Sequence, residues 1–221
     1  MTDIKNNLEQ LNHQIKDGVL LVAVTKTHSP DVINRAIDCG VTDIGENKVQ
    51  EIMDKYEQVK PVRWHMIGHL QRNKVKYIID KVDLIHSVDS LKLAREIDKR
   101  AGQIERTMDI LIQVNAAGEE SKFGISPEET EPLIREILET CENIRIRGLM
   151  CIAPFEEDLD KVRPFFAQVK NQYDQLGEIS HERLDFVYLS MGMSHDFRVA
   201  IEEGANLVRV GSAIFGQRVY V

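Results

Sequence analysis

Short apolar runs alternate along this chain with longer segments whose apolar residues recur at helical spacing. The first run, residues 19–25, is rich in valine and leucine and ends at turn-forming residues, a pattern typical of a buried strand. Comparable runs predict further strands at 42–45, 62–67, 84–86, 109–114, 144–152, 186–189 and 207–210. The segments between them carry helix signals, such as Ser29 and Pro30 at the start of one helix and Gly40 at its end. Ser126 and Pro127 open another helix, and further helices are predicted from about Gln71 and from Leu159 to Leu176.

An additional helix is predicted before the first strand, because Ile4, Leu8, Leu11 and Ile15 recur at helical spacing between residues 3 and 16. Eight strand–helix units in a chain of 221 residues predict a single (β/α)8 barrel, the TIM barrel, as one domain over residues 1–221. The alternative is an open doubly wound sheet. No G-x-G-x-x-G motif follows the first strand, so a dinucleotide site lacks its signature.

Charge and composition argue against several classes of partner. A net charge of −8 gives no general attraction to nucleic acid or to an anionic membrane surface. The amino-terminal residues are too polar for a signal peptide, and no apolar stretch approaches the roughly 20 residues of a membrane-spanning helix. Three cysteines without a C-x-x-C pair argue against a disulfide framework and a zinc site. We therefore expect a cytoplasmic protein with no nucleic-acid, membrane or metal partner.

Lys26 is the first candidate for chemistry, because it directly continues the first apolar strand. The carboxyl ends of the strands are where barrels of this type place their active sites. A lysine amine that is desolvated at such a position has a lowered pKa and, as the free base, attacks a carbonyl carbon. The plainer interpretation is a strand-end lysine that reaches water, which is the commoner case for lysines in general.

Two stretches of small and hydroxyl-bearing residues near the carboxyl terminus predict a phosphate site. Ser190, Met191 and Gly192 follow the seventh strand, and Gly211 and Ser212 follow the eighth. A phosphate prefers backbone N–H groups and short hydroxyls, and the loops after strands seven and eight are its common site in such barrels. Either stretch alone is weak evidence for a phosphate site, because glycines also form tight turns. A lysine and a phosphate site on one barrel together predict pyridoxal phosphate as the cofactor.

Other polar residues at predicted strand ends are weaker candidates. Arg209, at the end of strand eight, is expected to lie against the pyridine nitrogen of the cofactor. Its permanent charge there opposes protonation of that nitrogen and makes the ring a poorer electron sink. Asn47, after strand two, is expected to donate to an oxygen on the cofactor ring, unless it only caps a helix. His69 and the polar loop Asn115–Gly124 lie on the same predicted rim and receive no role.

Six motifs occur in order along the chain: Val22–Lys26, Gly45–Asn47, Trp64–Lys74, Gly148–Met150, Ser190–Ser194 and Arg209–Gly216. Together they resemble the pyridoxal phosphate homeostasis proteins, and the resemblance extends from the first strand to Arg218. It implies a barrel like the amino-terminal domain of alanine racemase, with pyridoxal 5'-phosphate carried as a Schiff base on Lys26. It also implies phosphate contacts from Ser190, Gly192, Gly211 and Ser212, with Arg209 near the pyridine nitrogen.

The resemblance implies a role in vitamin B6 balance without an established catalytic reaction. We therefore favour a cofactor-binding protein that is not an enzyme, with pyridoxal phosphate-dependent apoenzymes as candidate recipients. The alternative is an amino-acid racemase. Racemisation needs a second base, which racemases of this kind supply from a carboxyl-terminal domain, and the chain ends at Val221 soon after strand eight. Without that domain, which pairs racemase subunits, a monomer is expected.

A more distant alternative is a barrel aldolase in which Lys26 attacks a sugar carbonyl.

Overall fold

The computed structural model describes residues 3–119 and 122–216, in which strands and helices alternate after one leading helix. The strands are β1 (Leu20–Val24), β2 (Asp43–Glu46), β3 (Arg63–Met66), β4 (Leu84–Val88), β5 (Met108–Val114), β6 (Ile144–Cys151), β7 (Leu184–Met193) and β8 (Leu207–Val210). The α-helices are α1 (Ile4–Asn12), α2 (Pro30–Asp38), α3 (Val49–Lys55), α4 (Leu91–Gly102), α5 (Pro127–Thr140), α6 (Arg163–Gly177), α7 (Phe197–Glu202) and α8 (Ser212–Phe215). Short 3-10 helices lie at Tyr56–Gln58, Arg72–Tyr77 and Leu159–Lys161.

The strands close into a barrel in chain order, and every neighbouring pair is parallel. Closure is visible at β1, where Ala23 lies opposite Ile44 of β2 and also opposite Val210 of β8. The predicted (β/α)8 barrel and its leading helix are confirmed, and the open doubly wound sheet is wrong. That residues 1–221 form one domain stays a prediction, since residues 217–221, including Arg218, lie outside the described residues.

The alternation of side chains along the strands produces two buried clusters. One cluster contains outward residues such as Ala23 and Ile44, which pack beneath helices with Ile33 of α2 and Phe166 of α6. The other cluster is formed by inward residues of the barrel, namely Val22, Leu84, Leu111, Met150 and Leu207. Burying one such side chain contributes about 1.5–3 kcal/mol. Because successive residues face opposite sides, the inward position on each strand recurs every second residue.

Helix starts follow the signals in the sequence. Pro30 occupies the first position of α2 after Ser29, where its missing N–H costs no helical hydrogen bond. Helix α5 begins after Ser126, whose backbone N–H donates to the Glu129 carboxylate at 3.2 Å. In return, the Ser126 side chain accepts from the backbone N–H of Glu129. This reciprocal cap satisfies donors that the first helical turn leaves free.

The structure corrects two predicted helices. The helix expected from about Gln71 is only a 3-10 helix, with Val75 as its one buried side chain, so this segment lacks the apolar stripe of a full α-helix. The helix expected from Leu159 is divided into a 3-10 turn and α6. Pro164, the second residue of α6, accounts for this division, because proline has no N–H to donate to the carbonyl four residues earlier.

Strand β7 is longer than predicted and contains residues that had been assigned to a loop. It ends at Met193 rather than at Leu189. Its pairing with β8 shifts register between Ser190 and Met193, which marks an irregularity of the bulge type. Gly192 has a φ of +88°, which a residue without a Cβ adopts readily. A bulge breaks the period of two, so the alternation of apolar residues could not predict where this strand ends.

In the part of the chain that the structure describes, no helix has both the length and the apolar character needed to cross a bilayer. Cys39 is exposed, Cys141 and Cys151 are buried, and all three are free thiols.

Candidate functional site

Lys26 lies in the turn that follows β1, at the carboxyl end of the barrel, and it is half-buried. Leu20 and Val22 of the same strand belong to the cluster of inward side chains. The same alternation, continued past Val24, places Lys26 on the interior side of the barrel mouth.

A buried ion pair holds the residue before Lys26. Nζ of Lys55 lies 2.8 Å from Oε1 of Glu46, at the end of β2, and it donates to the backbone oxygen of Thr25 at 3.1 Å. The Thr25 hydroxyl donates to the same Glu46 oxygen at 2.7 Å. Burial raises the pKa of Glu46, although its hydrogen bonds from Lys55 and Thr25 act in the opposite direction. The carboxylate therefore depends on Lys55 for compensation of its buried charge.

The residue after Lys26 is held by the same lysine through a second carboxylate. The backbone N–H of Thr27 donates to Oε2 of Glu51 at 2.6 Å, and this oxygen lies 2.7 Å from Nζ of Lys55. Thr27 has a φ of +68°, a left-handed conformation that costs a non-glycine residue about 1–2 kcal/mol. The bond to Glu51 stabilises this conformation. The turn that carries Lys26 is thus fixed on both sides.

The ends of β7 and β8 meet each other beside β1. The Ser194 hydroxyl oxygen accepts from the backbone N–H of Gly211 at 3.1 Å. Gly211 also packs against β1, because a Cβ built on it would lie 3.2 Å from the backbone oxygen of Val24. Ser212 follows at the same edge and is exposed. The two stretches predicted to hold a phosphate therefore come together next to the strand that leads to Lys26.

The three β7 residues that were predicted to contact the cofactor have different surroundings. Ser190 is completely buried, and its hydroxyl is hydrogen-bonded to His86 and Arg209. The side chain of Met191 is buried in the core beneath the helices. Gly192 packs against α7 so closely that a Cβ would lie 2.7 Å from a side-chain carbon of that helix. Their contacts with a cofactor stay predictions.

Replacing Gly192 by alanine is expected to destabilise this edge of the barrel. The new Cβ would lie 2.7 Å from Cβ of Ala200 and 2.8 Å from Cα of Phe197, at a φ that disfavours a side chain. We expect Gly192→Ala to lower the free energy of unfolding by about 2–4 kcal/mol, measured by denaturant titration. Gly177→Ala is the control, because its Cβ would meet nothing closer than 3.8 Å. Equal losses in the two variants would contradict the packing explanation.

Arg209 is 4% exposed, and its guanidinium is bonded to β6 and β7. Nη1 donates to the backbone oxygen of Ser190 at 2.8 Å and also to its hydroxyl, while Nη2 donates to the backbone oxygen of Cys151 at 2.9 Å. Burial lowers the pKa of Arg209, whereas Cys151 and Asp196 act in the opposite direction. The guanidinium is therefore held in one orientation by uncharged oxygen atoms.

Asn47 and His69 lie on the rim after β2 and β3. Among the described residues, Oδ1 of Asn47 is buried without a hydrogen-bond partner. Gly68 packs on the Asn47 backbone, since a Cβ on Gly68 would lie 2.3 Å from the backbone oxygen of Asn47. The ring of His69 stacks on Phe123 at a centroid distance of 3.9 Å. Phe123 belongs to the loop Asn115–Gly124, of which residues 120 and 121 lie outside the described residues. This contact joins two rim loops.

A chain of hydrogen bonds through the barrel interior was not predicted. Oδ1 of Asp43 lies 2.8 Å from Nε2 of His65, and Nδ1 of His65 lies 2.9 Å from Nε2 of His86. Nδ1 of His86 lies 3.0 Å from Oγ of Ser190, to which Arg209 donates. All five residues are buried. The sequence feature that could have predicted this chain is the set of polar residues at inward positions on buried strands, because buried polar side chains need hydrogen-bond partners.

The chain has clear relatives among known proteins. A family model described as alanine racemase, N-terminal domain, matches residues 1–219. A pyridoxal phosphate homeostasis protein of Aquifex aeolicus is 47% identical over 202 residues, which cover 90% of this chain and 87% of the relative. The chain belongs to the pyridoxal phosphate homeostasis protein family. The human family member is 38% identical over 212 residues, which cover 90% of this chain and 77% of the relative.

Solved structures agree with this family placement. PipY of Synechococcus elongatus PCC7942, solved without pyridoxal phosphate, superposes with a TM-score of 0.90 at 34% identity, covering 97% of this chain and 100% of that one. PipY with pyridoxal phosphate bound gives a TM-score of 0.88 at 33% identity, with the same coverage of both chains. Alanine racemase of Clostridium difficile 630 shares the fold alone. Its TM-score is 0.76 at 14% identity, and the match covers 99% of this chain but 57% of the racemase.

Proposed function

We propose that this protein binds pyridoxal 5'-phosphate and takes part in its homeostasis. The names of its relatives and the PipY structure with the cofactor bound support this proposal. The observation that carries it is the geometry of the barrel mouth. Gly211 packs on Val24 and bonds to Ser194, so the ends of β7 and β8 lie next to the strand that leads to Lys26. The strand that leads to the Lys26 amine and the edge proposed to bind the phosphate are thereby adjacent.

Three features of the mouth fit this cofactor. The close approach of Gly211 leaves backbone groups at the edge without a covering side chain. Asn47 has a buried side-chain oxygen without a partner among the described residues, and a polar substituent of the cofactor ring would satisfy the amide. Rotation of this amide presents either its oxygen or its nitrogen. Arg209 supplies a fixed cation for the ring.

Lys26 is proposed to hold the cofactor covalently. As the free base, its amine adds to the aldehyde carbon of pyridoxal phosphate and water leaves, so that a Schiff base joins Nζ to the cofactor. Bound in this way, the cofactor would supply an imine carbon and an electron-withdrawing ring. The bonds from Glu46, Glu51 and Lys55 keep the Lys26 turn in place before the cofactor arrives.

The phosphate group is proposed to lie between the ends of β7 and β8. Backbone groups of Gly192 and Gly211 and the exposed hydroxyl of Ser212 suit an anion there. The Gly211 N–H donates to the Ser194 hydroxyl oxygen in this structure, so a phosphate oxygen would take over this donor and leave the Ser194 hydroxyl to donate as well. Met191 is expected to contribute through its backbone, because its side chain is part of the core.

Arg209 is proposed to face the pyridine nitrogen, with Ser190 contributing through its bond to the guanidinium. A permanent cation at this place opposes protonation of the nitrogen and weakens the ring as an electron sink. This electronic arrangement favours storage and delivery of the cofactor over carbanion chemistry. We therefore propose a protein without turnover of its own. In keeping with the expectations from the sequence, we propose that it is a cytoplasmic monomer with pyridoxal phosphate-dependent apoenzymes as recipients.

Comparison of pyridoxal phosphate with pyridoxal, which lacks the phosphate, tests this proposal. We expect pyridoxal phosphate to bind saturably with a new visible absorption band, and pyridoxal to bind at least about tenfold more weakly, because it lacks the charge-assisted hydrogen bonds. Equal affinities, or no band with either compound, would contradict the site. Rapid deuterium exchange at Cα of added amino acids would contradict the non-enzymatic role.

A further inference from the structure

With both imidazoles neutral, the hydrogen bonds between Asp43 and Arg209 admit one consistent placement of protons. Although burial acts to raise it, hydrogen bonding with His65 leaves the pKa of Asp43 below its ordinary value, so the side chain is a carboxylate that only accepts. His65 therefore donates from Nε2. A neutral His65 accepts at Nδ1, which requires His86 to donate from its own Nε2.

The same assignment continues to the other end of the chain. Burial holds the pKa of His86 well below its ordinary value, and the charge of Arg209 acts in the same direction, so this imidazole is neutral. Its Nδ1 then accepts from the Ser190 hydroxyl, whose oxygen accepts from Arg209. Each linking group donates once and accepts once along the chain. All the dipoles consequently point in one direction, from the guanidinium to the carboxylate.

The two ends of this chain carry opposite charges. The guanidinium of Arg209 is buried, and the acceptors of its hydrogen bonds are uncharged oxygens. A buried charge needs compensation, and aligned hydrogen bonds in a medium of low dielectric constant strengthen one another. Asp196 favours the charged form of Arg209, whereas the Asp43 carboxylate at the far end of the chain lies 3.4 Å from Nη1 of Arg63 and fixes the direction of the intervening hydrogen bonds through His65.

We propose that the side chains from Asp43 to Ser190 are positioning residues that hold Arg209 in the orientation it presents to the cofactor ring. With the Ser190 proton committed to His86, the Ser190 oxygen is left as an acceptor for Nη1 of Arg209. If the chain is interrupted, the hydroxyl is free to rotate, and the guanidinium loses a directed acceptor. The identity of the group that Arg209 faces rests on the proposed function, whereas the chain is a property of the protein alone.

Nitrogen-15 NMR of the protein without added cofactor tests the chain directly. Long-range proton–nitrogen correlations distinguish the two neutral tautomers of histidine from the imidazolium. At neutral pH we expect both His65 and His86 to carry their single proton on Nε2. A proton on Nδ1 of His86, or an imidazolium at that residue, would overturn the directed chain whatever the protein binds.

Variants at His86 test the effect on the site. His86→Leu removes both links, and we expect a shifted absorption band of bound pyridoxal phosphate and about tenfold weaker binding. His86→Gln keeps a donor and an acceptor, so it should recover most of the wild-type spectrum. Ser190→Ala breaks the chain next to Arg209 and should resemble His86→Leu, which keeps the test decisive if His86→Leu does not fold.

Leu84→Val is the control, because Leu84 is an inward residue of the same strand that is not part of the chain. We expect its bound spectrum to match the wild type. An unchanged spectrum in both His86→Leu and Ser190→Ala, or an equal shift in Leu84→Val, would overturn the positioning role. If the wild-type protein binds no pyridoxal phosphate, the proposed function fails and with it the role given to Arg209, while the NMR result still decides whether the chain exists.

Discussion

We expect Lys26→Ala to abolish covalent attachment of pyridoxal phosphate. Alanine has no amine to form the carbon–nitrogen bond, while the edge formed by Ser194, Gly211 and Ser212 is unchanged. Residual binding should therefore persist through the phosphate, but at least about a hundredfold more weakly, a loss of about 2.7 kcal/mol. Equilibrium dialysis measures the remaining affinity, and absorption spectra measure loss of the visible band.

Lys48→Ala is the matched control for this experiment, because Lys48 is an exposed lysine at the start of α3 on the same rim. We expect it to retain the band and to change affinity by less than about threefold, as an exposed charge in water contributes little. If Lys26→Ala keeps the full band, or if Lys48→Ala loses it, the assignment of the reacting amine is wrong.

We expect Lys55→Met to destabilise the protein by about 3–5 kcal/mol near neutral pH, because it leaves the Glu46 carboxylate buried without its counter-charge. The loss should shrink as the pH falls. Burial already raises the pKa of Glu46, so the folded state binds the proton more tightly than the unfolded chain, and protonation removes the uncompensated charge. Denaturant unfolding at about pH 7.5 and about pH 5 measures both effects.

Two further variants distinguish the effect of breaking the buried ion pair from the effect of removing any lysine. Lys60→Met breaks a pair with Asp38 in which both side chains are at least half exposed, so we expect a loss of no more than about 1 kcal/mol. The double variant Glu46→Gln/Lys55→Met removes both buried charges and should recover part of the stability. A double variant as unstable as Lys55→Met would mean that packing, rather than charge, explains the loss.

The fold was predictable because it follows from local patterns. Runs such as residues 19–25 showed strands, and the signals at Ser29–Pro30 and Ser126–Pro127 showed where helices begin. The end of β7 was not predictable. The backbone at Gly192 turns into a left-handed conformation that interrupts the period of two, and only its packing against α7 shows why.

The site was predictable at the ends of strands but not inside the barrel. Lys26 and Gly211 come directly after buried strands, so parallel topology alone brings them to one edge. The Glu46–Lys55 pair joins a strand to the following helix, and the His65–His86 bond joins two strands whose register the sequence does not show. Such contacts depend on the tilt and closure of the barrel, which no single strand encodes.

Peptide mapping after borohydride reduction tests the central claim most directly. The wild-type protein is incubated with pyridoxal phosphate, reduced, digested and analysed by mass spectrometry, so that a Schiff base becomes a stable secondary amine. We predict one major modification, on the peptide that contains Lys26, with phosphopyridoxyl mass on that residue. Modification mainly at another lysine, or none above the level of unfolded protein, would contradict the account.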